Sequence, residues 1–233
     1  MKKLFFAIAL LFAIGAFAQE NNIKLGLGGI AMGDYSLSYE RLITPKSAIN
    51  ANFGYFNLGW GALPVVSLSD ISSDVKLNKI KSGLHSSIDY RFYAGKKDNL
   101  RGIYFAPYVR YWDYKFIMDD EIDGTIFDIN AKVWSLGFGF QMGYQWLVSD
   151  KISIDWYFLG FGAEWLNTSA AYVTQNGAAF NYSTIEDDVR DVFDGFTFIE
   201  KRLTTEPVDD KLKINLPVWL PGIKTGISIG YAF

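Results

Sequence analysis

From Trp134 to Trp146 the chain alternates without interruption. Trp134, Leu136, Phe138, Phe140, Met142, Tyr144 and Trp146 are interleaved with Ser135, Gly137, Gly139, Gln141, Gly143 and Gln145. Side chains of a strand point alternately to opposite faces, so this is one strand with a large apolar face and a small polar face. The contrast in size constrains the fold more than the contrast in polarity. Eight strands closed into a barrel leave an interior only wide enough for side chains to fill. Seven large residues per strand, repeated round the ring, would overfill it. The glycine, serine and glutamine face fits inside, so the aromatic face turns outward. A lipocalin-like barrel or a soluble sandwich has the opposite polarity.

The remaining segments follow the same rule. Leu25 and Leu27 oppose Lys24, Gly26 and Gly28 in a first strand over about Ile23 to Ile30. Met32-Gly33-Asp34 turns into a second, Tyr35 to about Ile43, where Leu37 and Tyr39 oppose Ser36, Ser38 and Glu40. Thr44-Pro45-Lys46 leads to a third, where Ile49, Ala51, Phe53 and Tyr55 oppose Asn50, Asn52 and Gly54. A fourth, about Gly83 to Tyr93, sets Ile88, Tyr90 and Phe92 against Ser87, Asp89 and Arg91. The fifth begins at Ile103. Keeping Arg110 inside puts Phe105, Val109 and Tyr111 outside, and Pro107, which lacks a ladder donor, predicts a bulge. The sixth is the strand above. The seventh starts with Ile152, Ile154, Trp156 and Phe158 outside and Ser153 and Asp155 inside. An insertion of about 167–216 precedes the eighth, and the two prolines of Leu216-Pro-Val-Trp-Leu-Pro221 argue against a ladder strand there. Turns after even strands are short, and connections after odd strands are mostly long. The expected fold is therefore all-β: an eight-stranded antiparallel up-and-down barrel, with ten strands as the alternative count.

The two ends agree on where such a barrel goes. Lys2 and Lys3 precede an apolar run from Leu4 to Phe17, and Ala16-Phe17-Ala18 before Gln19 is a small-x-small cleavage site. Residues 1–18 read as a secretory signal peptide cut between Ala18 and Gln19, leaving 19–233 as the barrel domain. The run is shorter than the roughly 20 residues of a spanning helix. Cleavage removes two lysines and moves the formal net charge from −3 to −5, which disfavours nucleic acid as a partner. The chain has no cysteine, which excludes a lipoprotein anchor, disulfides and thiol chemistry. Aromatics make up 17% of it, with 22 glycines, a composition that suits a barrel with lipid outside.

The last strand, Lys224 to Phe233, resembles the C-terminal assembly signal of bacterial outer-membrane barrels through Lys224, Gly226, Ile229, Tyr231 and Phe233. Together with the signal peptide and the strand pattern, the chain resembles small outer-membrane barrels of the OmpA/OmpX type, and the porin-like families common in Bacteroidota. The resemblance implies a monomer in the outer membrane of a Gram-negative bacterium. It implies outer-membrane lipid, periplasmic chaperones and the barrel-assembly machinery as partners, and no cofactor. It specifies architecture rather than activity.

Four features bear on chemistry. Lys24, Glu40, Asp89, Arg91, Arg110, Asp155 and Lys224 all face inward, with both signs present. Paired, they fill a narrow lumen; left loose, they line a narrow gated pore. His85, the only histidine, is placed near the outer end of the fourth strand with Ser87 on the same face. That offers a nucleophile and base for a lipid-modifying enzyme, but no third partner is evident. Asp119-x-Glu121-x-Asp123-Gly124 has the spacing that opens a calcium loop, yet Asn130 stands where the bidentate carboxylate is needed. A solvated hairpin tip is the alternative, and no catalytic or metal residue is assigned. In the last loop, Gln175-Asn176-Gly177 signals a hairpin. Ser183-Thr-Ile-Glu186 is a capping box that opens a short amphipathic helix with Ile185, Val189, Val192, Phe193 and Phe196 on one face. It packs on the barrel's own rim or docks an unidentified surface partner. The expected function is a structural, surface-interaction or small-ligand role in the outer membrane, without enzymatic activity and without a wide diffusion pore.

Overall fold

A computed structural model describes residues 20–57, 75–94, 100–122, 125–174, 182–192, 197–208 and 211–233. Residues 1–19, with the cleavage site at Ala18 and Gln19, lie outside them. So do the Asn176-Gly177 hairpin, Asp123-Gly124, Phe193 and Phe196. The strands are β1 (Asn21–Gly26), β2 (Asp34–Thr44), β3 (Ser47–Phe56), β4 (Val75–Tyr93), β5 (Gly102–Ile122), β6 (Thr125–Val148), β7 (Ile152–Thr174), β8 (Thr204–Val208), β9 (Lys211–Ile223) and β10 (Gly226–Ala232). Two helices, α1 (Ser183–Val192) and α2 (Thr197–Glu200), lie between β7 and β8. Every pairing is antiparallel, and β10 pairs with both β1 and β7 to close a ring. β9 and β10 are two parts of one wall strand, broken at Lys224-Thr225, so the ring has eight members.

The wall is apolar outside and polar inside. Phe138 and Phe140 of β6 are 55% and 63% exposed, whereas Ser135, Gln141 and Gln145 are buried. Ile88 and Phe92 of β4, Phe105 and Val109 of β5, and Ile229 and Tyr231 of β10 join the exposed belt. At the base, where Phe233 exchanges backbone bonds with Asn21, the described turns after β2 and β6 are tight. Ser149 and Asp150 both take positive φ in the three-residue connection between Val148 and Ile152, where Lys151 N–H donates to the Val148 carbonyl at 3.1 Å.

Three backbone expectations are corrected. First, Pro107 makes no bulge: β5 and β6 stay in one register from Gly102↔Gln145 to Ile122↔Thr125. On the β4 side the ladder passes over Ala106 and Pro107 with no register shift there, so the missing donor costs pairing rather than alignment. Second, the bulge falls in β7. Register to β6 runs from Gly143↔Tyr157 to Met142↔Leu159, leaving Phe158 unopposed. Its side shifts accordingly. Below Phe158 the odd residues Ser153 and Asp155 are buried; above it Leu159 and Phe161 are exposed and the even residues Gly160 and Glu164 are buried. Third, Leu216 to Pro221 is a ladder strand, with Asn167↔Pro217 and Ala163↔Pro221 paired across β7. Lys224 N–H donates to the Gly160 carbonyl at 2.9 Å, so by antiparallel alternation the even residues bond to β7. Pro217 and Pro221 are odd, and their missing donors point the other way.

The long strands also revise the last insertion, since β7 continues to Thr174 and β9 begins at Lys211. Thr174 lies ten residues beyond Glu164, roughly 33 Å along the strand. On the inner face of this extension a second core gathers Phe127, Tyr182, Ile185, Leu203, Leu212 and Ile214. α1 therefore packs on the chain's own tall sheet. Glu186 accepts hydrogen bonds from Thr205 of β8 and from Arg190, which hold its carboxyl below the usual range.

At Gly139↔Gly162 the strands approach too closely for side chains. A Cβ on Gly162 would lie 2.1 Å from the Phe138 carbonyl oxygen, and one on Gly139 2.2 Å from that of Phe161. Gly162→Val is expected to cost about 1–3 kcal/mol, read as a lower urea midpoint for loss of the compact gel band. Gly28→Ala, where the nearest atom to a Cβ is 3.9 Å away, is expected to leave that midpoint unchanged.

Candidate functional site: a plugged lumen beneath a polar cavity

Alternation along the strands sends polar side chains from all round the ring towards one axis. Lys24 Nζ donates to Asp155 at 2.7 Å, to Glu40 at 2.9 Å and to Gln145 at 3.2 Å. Arg91 donates through Nη1 to Asp155 at 2.7 Å and through Nε to Asp89 at 2.7 Å. Tyr93 donates to Glu40 at 2.6 Å, Tyr104 to Asp155 at 2.8 Å, and Asn50 to Asp89 at 2.8 Å. The Arg91 guanidinium lies 4.3 Å from the centre of the Tyr104 ring. Lys24, Glu40, Asp89, Arg91 and Asp155 are each at most 2% exposed. The groups come from β1 to β7, so seven of the eight wall strands meet in one network. Unpaired buried charges would each cost several kcal/mol, and here each has at least one oppositely charged partner within hydrogen-bond distance.

Arg110 and Lys224 stand apart from this plug. Arg110 pairs with Glu164 of β7 and donates to the Ile223 carbonyl at 2.9 Å. Ser135 and Trp112 also donate to Glu164. Lys224 reaches Ser87 at 3.4 Å and Asp89 only at 3.9 Å, and lies over the rings of Tyr108 and Tyr157. Sequence reasoning missed Glu164 because the Phe158 bulge inverts the phase above it. The readable sign is Trp156-Tyr157-Phe158-Leu159, four large residues in a row where alternation should hold.

Above the plug is a cavity of about 600 Å³, within the range of small-molecule sites. Its wall includes Asp34, His85, Arg110, Gln141, Glu164 and Lys224. Gln141 is 3% exposed, and neither its Oε1 nor its Nε2 has a hydrogen-bond partner among the described residues. A buried amide left unpaired on both atoms costs stability unless something fills the space beside it. The Cβ atoms of Gln141 and Lys224 both flank Gly160, at 3.2 and 3.0 Å from where its own Cβ would be. Nothing in the sequence distinguishes Gln141 from the paired Gln145 four residues on.

His85 is not at the outer end of its strand, because β4 extends down the chain to Val75. It lies in the lumen wall with Nε2 2.7 Å from Asp34 Oδ1. Among the described residues no serine hydroxyl is hydrogen-bonded to its other nitrogen, so the pair lacks a placed nucleophile. Asp119 and Glu121 lie in the extended backbone of β5, opposite Asp128 and Ile126 of β6. That backbone is a hairpin rather than a helix-flanked calcium loop. Of the assembly-signal positions, Ile229 and Tyr231 face outward, and Gly226 abuts the Tyr157 hydroxyl.

Arg91→Met leaves Asp89 and part of Asp155 without their close cation. It is expected to lower stability by about 3–5 kcal/mol, measured by urea titration of the refolded barrel.

Comparison with curated proteins finds no match. A solved structure, a major outer membrane protein from Thermus thermophilus, is similar at 14% identity and a TM-score of 0.40, covering 91% of this chain and 97% of that one. The family described as protein of unknown function, DUF3575, matches residues 4–187, more than half of the chain, and the protein therefore belongs to the DUF3575 family.

Proposed function

We propose that this protein is an integral outer-membrane barrel of a Gram-negative bacterium, closed to free diffusion, that binds a small polar ligand in the upper half of its lumen without transforming it. The observation that carries this reading is the arrangement along the barrel axis. A charge network spans the lumen from seven strands, and above it a 600 Å³ polar cavity presents a buried amide with two unpartnered atoms. The base holds both the first described strand and the last residue, so it is assigned to the periplasm and the tall β5–β9 sheet to the outside. The exposed apolar belt is the surface that lipid would cover, and the leader at residues 1–18 supports export. OmpA/OmpX-like architecture and a monomeric state belong to the same proposal.

Two measurements test it. Purified protein in planar bilayers is expected to give no unitary conductance steps, and regular steps would overturn the closed lumen. Phe140 is exposed and midway between Trp134 and Trp146. Phe140→Arg is expected to cost about 2–4 kcal/mol in lipid vesicles, whereas a water-exposed face would tolerate it.

A further inference from the structure

The wall has a seam beside the cavity. β10 pairs with β1 up to Gly26↔Ser228, and Leu27 N–H adds one bond to the Ile227 carbonyl. There the chain leaves the wall through the 3-10 turn Ile30–Met32 and returns as β2. β9 continues upward, and β8 covers its free edge only over Lys211 to Asn215. Among the described residues no strand pairs with that edge from Leu216 to Thr225. The edge is adapted to being open. Pro217 and Pro221 remove two of the donors that would face it, and Arg110 takes the Ile223 carbonyl from the lumen side. Ile223 is 77% exposed. The aromatic cluster of Trp219 with Trp165 at 5.4 Å and Phe138 at 6.0 Å lies a few residues above, where an interfacial girdle belongs. In the proposed orientation the seam therefore opens between mid-membrane, where Ile223 is in register with Phe161 and Phe140, and the outer rim.

The cavity reaches this seam, since Gly28, Ile223, Thr225 and Ile227 belong to its lining. Lys224 sits at its inner end. It is the one interior cation among the described residues without a carboxylate inside 3.5 Å, and Gln141 beside it offers a free donor and a free acceptor. We propose that the seam admits the acyl chain of a lipid-phase amphiphile, whose anionic, hydroxyl-bearing headgroup sits in the cavity on Lys224 and Gln141. The anion accepts from Lys224 Nζ and Gln141 Nε2, and the headgroup hydroxyl donates to Gln141 Oε1. This rests on the reading of the cavity as a ligand site.

The test compares lauroyl lysophosphatidic acid with glycerol 3-phosphate by calorimetry, on the folded chain in dodecyl maltoside micelles. The headgroups match and only one probe has a tail. Detergent already holds the tail out of water, so the expected advantage of about tenfold for the tailed probe reads only the fit of the tail at the seam over its place in a micelle. Lys224→Gln and Gln141→Met are expected to weaken both probes about tenfold, the scale of a lost charge-assisted bond. Gln141→Met is also expected to raise the melting temperature of the empty protein, which a purely structural amide would not do. Gly28→Trp places a large side chain at the seam where a Cβ meets nothing closer than 3.9 Å. It is expected to bring the ratio of the two affinities close to one, whatever it does to glycerol 3-phosphate alone. If neither probe binds, or if Lys224→Gln and Gln141→Met leave both unchanged, the ligand cavity itself is overturned. If the probes bind equally, or Gly28→Trp spares the tail's advantage, the seam alone is overturned. The wild-type comparison decides the second point even if Gly28→Trp does not fold.

Discussion

Asp155 accepts from Lys24, Arg91 and Tyr104 at once, and much of the molecule is arranged around those three bonds. They tie β7 to β1, β4 and β5 across the lumen, a cross-bracing that a ladder of neighbouring strands cannot supply. Because the carboxylate is buried, its partners must stay close, and that fixes how the strands turn their faces. Phase, closure of the base and exclusion of water from the lower lumen all follow from satisfying these charges. The small residues on β10 belong to the same constraint, since Ser228 and Gly230 leave room for the long side chains opposite. A Cβ on Gly230 would meet Lys24 Cγ at 2.5 Å.

Where alternation is regular, the residues carry the structure plainly. β6 reads from its sequence, as do the lumen-facing positions of β1 to β4, because a two-residue period leaves no freedom once one face is fixed. What stays hidden depends on single backbone events. One extra residue at Phe158 inverts everything above it, concealing Glu164 and with it the partner of Arg110. The prolines of β9 mislead because their compatibility with a ladder depends on which edge lacks a neighbour, and that is a property of the ring rather than of the segment. Gln141 cannot be singled out at all. An amide is marked as unpaired only by the distances around it.

The upper half follows a different logic from the base. There the sheet outgrows the ring, and its inner face changes from polar to apolar at Phe127, Leu212 and Ile214, where α1 and Leu203 cover it. A tall sheet with an apolar inner face would otherwise expose that face to water. The helix predicted for the last insertion thus completes a small second core, with Asp187 and Asp191 exposed. Glu186 fastens it through Arg190 and Thr205 rather than through the barrel wall.

The central network also governs the order in which such a barrel can be made. The first hairpin, β1 with β2, brings Lys24 to Glu40 across only 16 positions, but Asp155 lies 131 positions away and Arg91 must reach it across 64. A partly built sheet without β7 would carry Lys24 and Arg91 without Asp155, the carboxylate they share. In hydrocarbon that is strongly penalised, whereas in water it is not. On the outer-membrane reading proposed above, intermediates are driven to keep the polar face wet until β7 arrives, and entry into the bilayer is coupled to near-complete closure. In that reading, the same few bonds that fill the finished lumen act beforehand as a checkpoint against inserting an unfinished barrel.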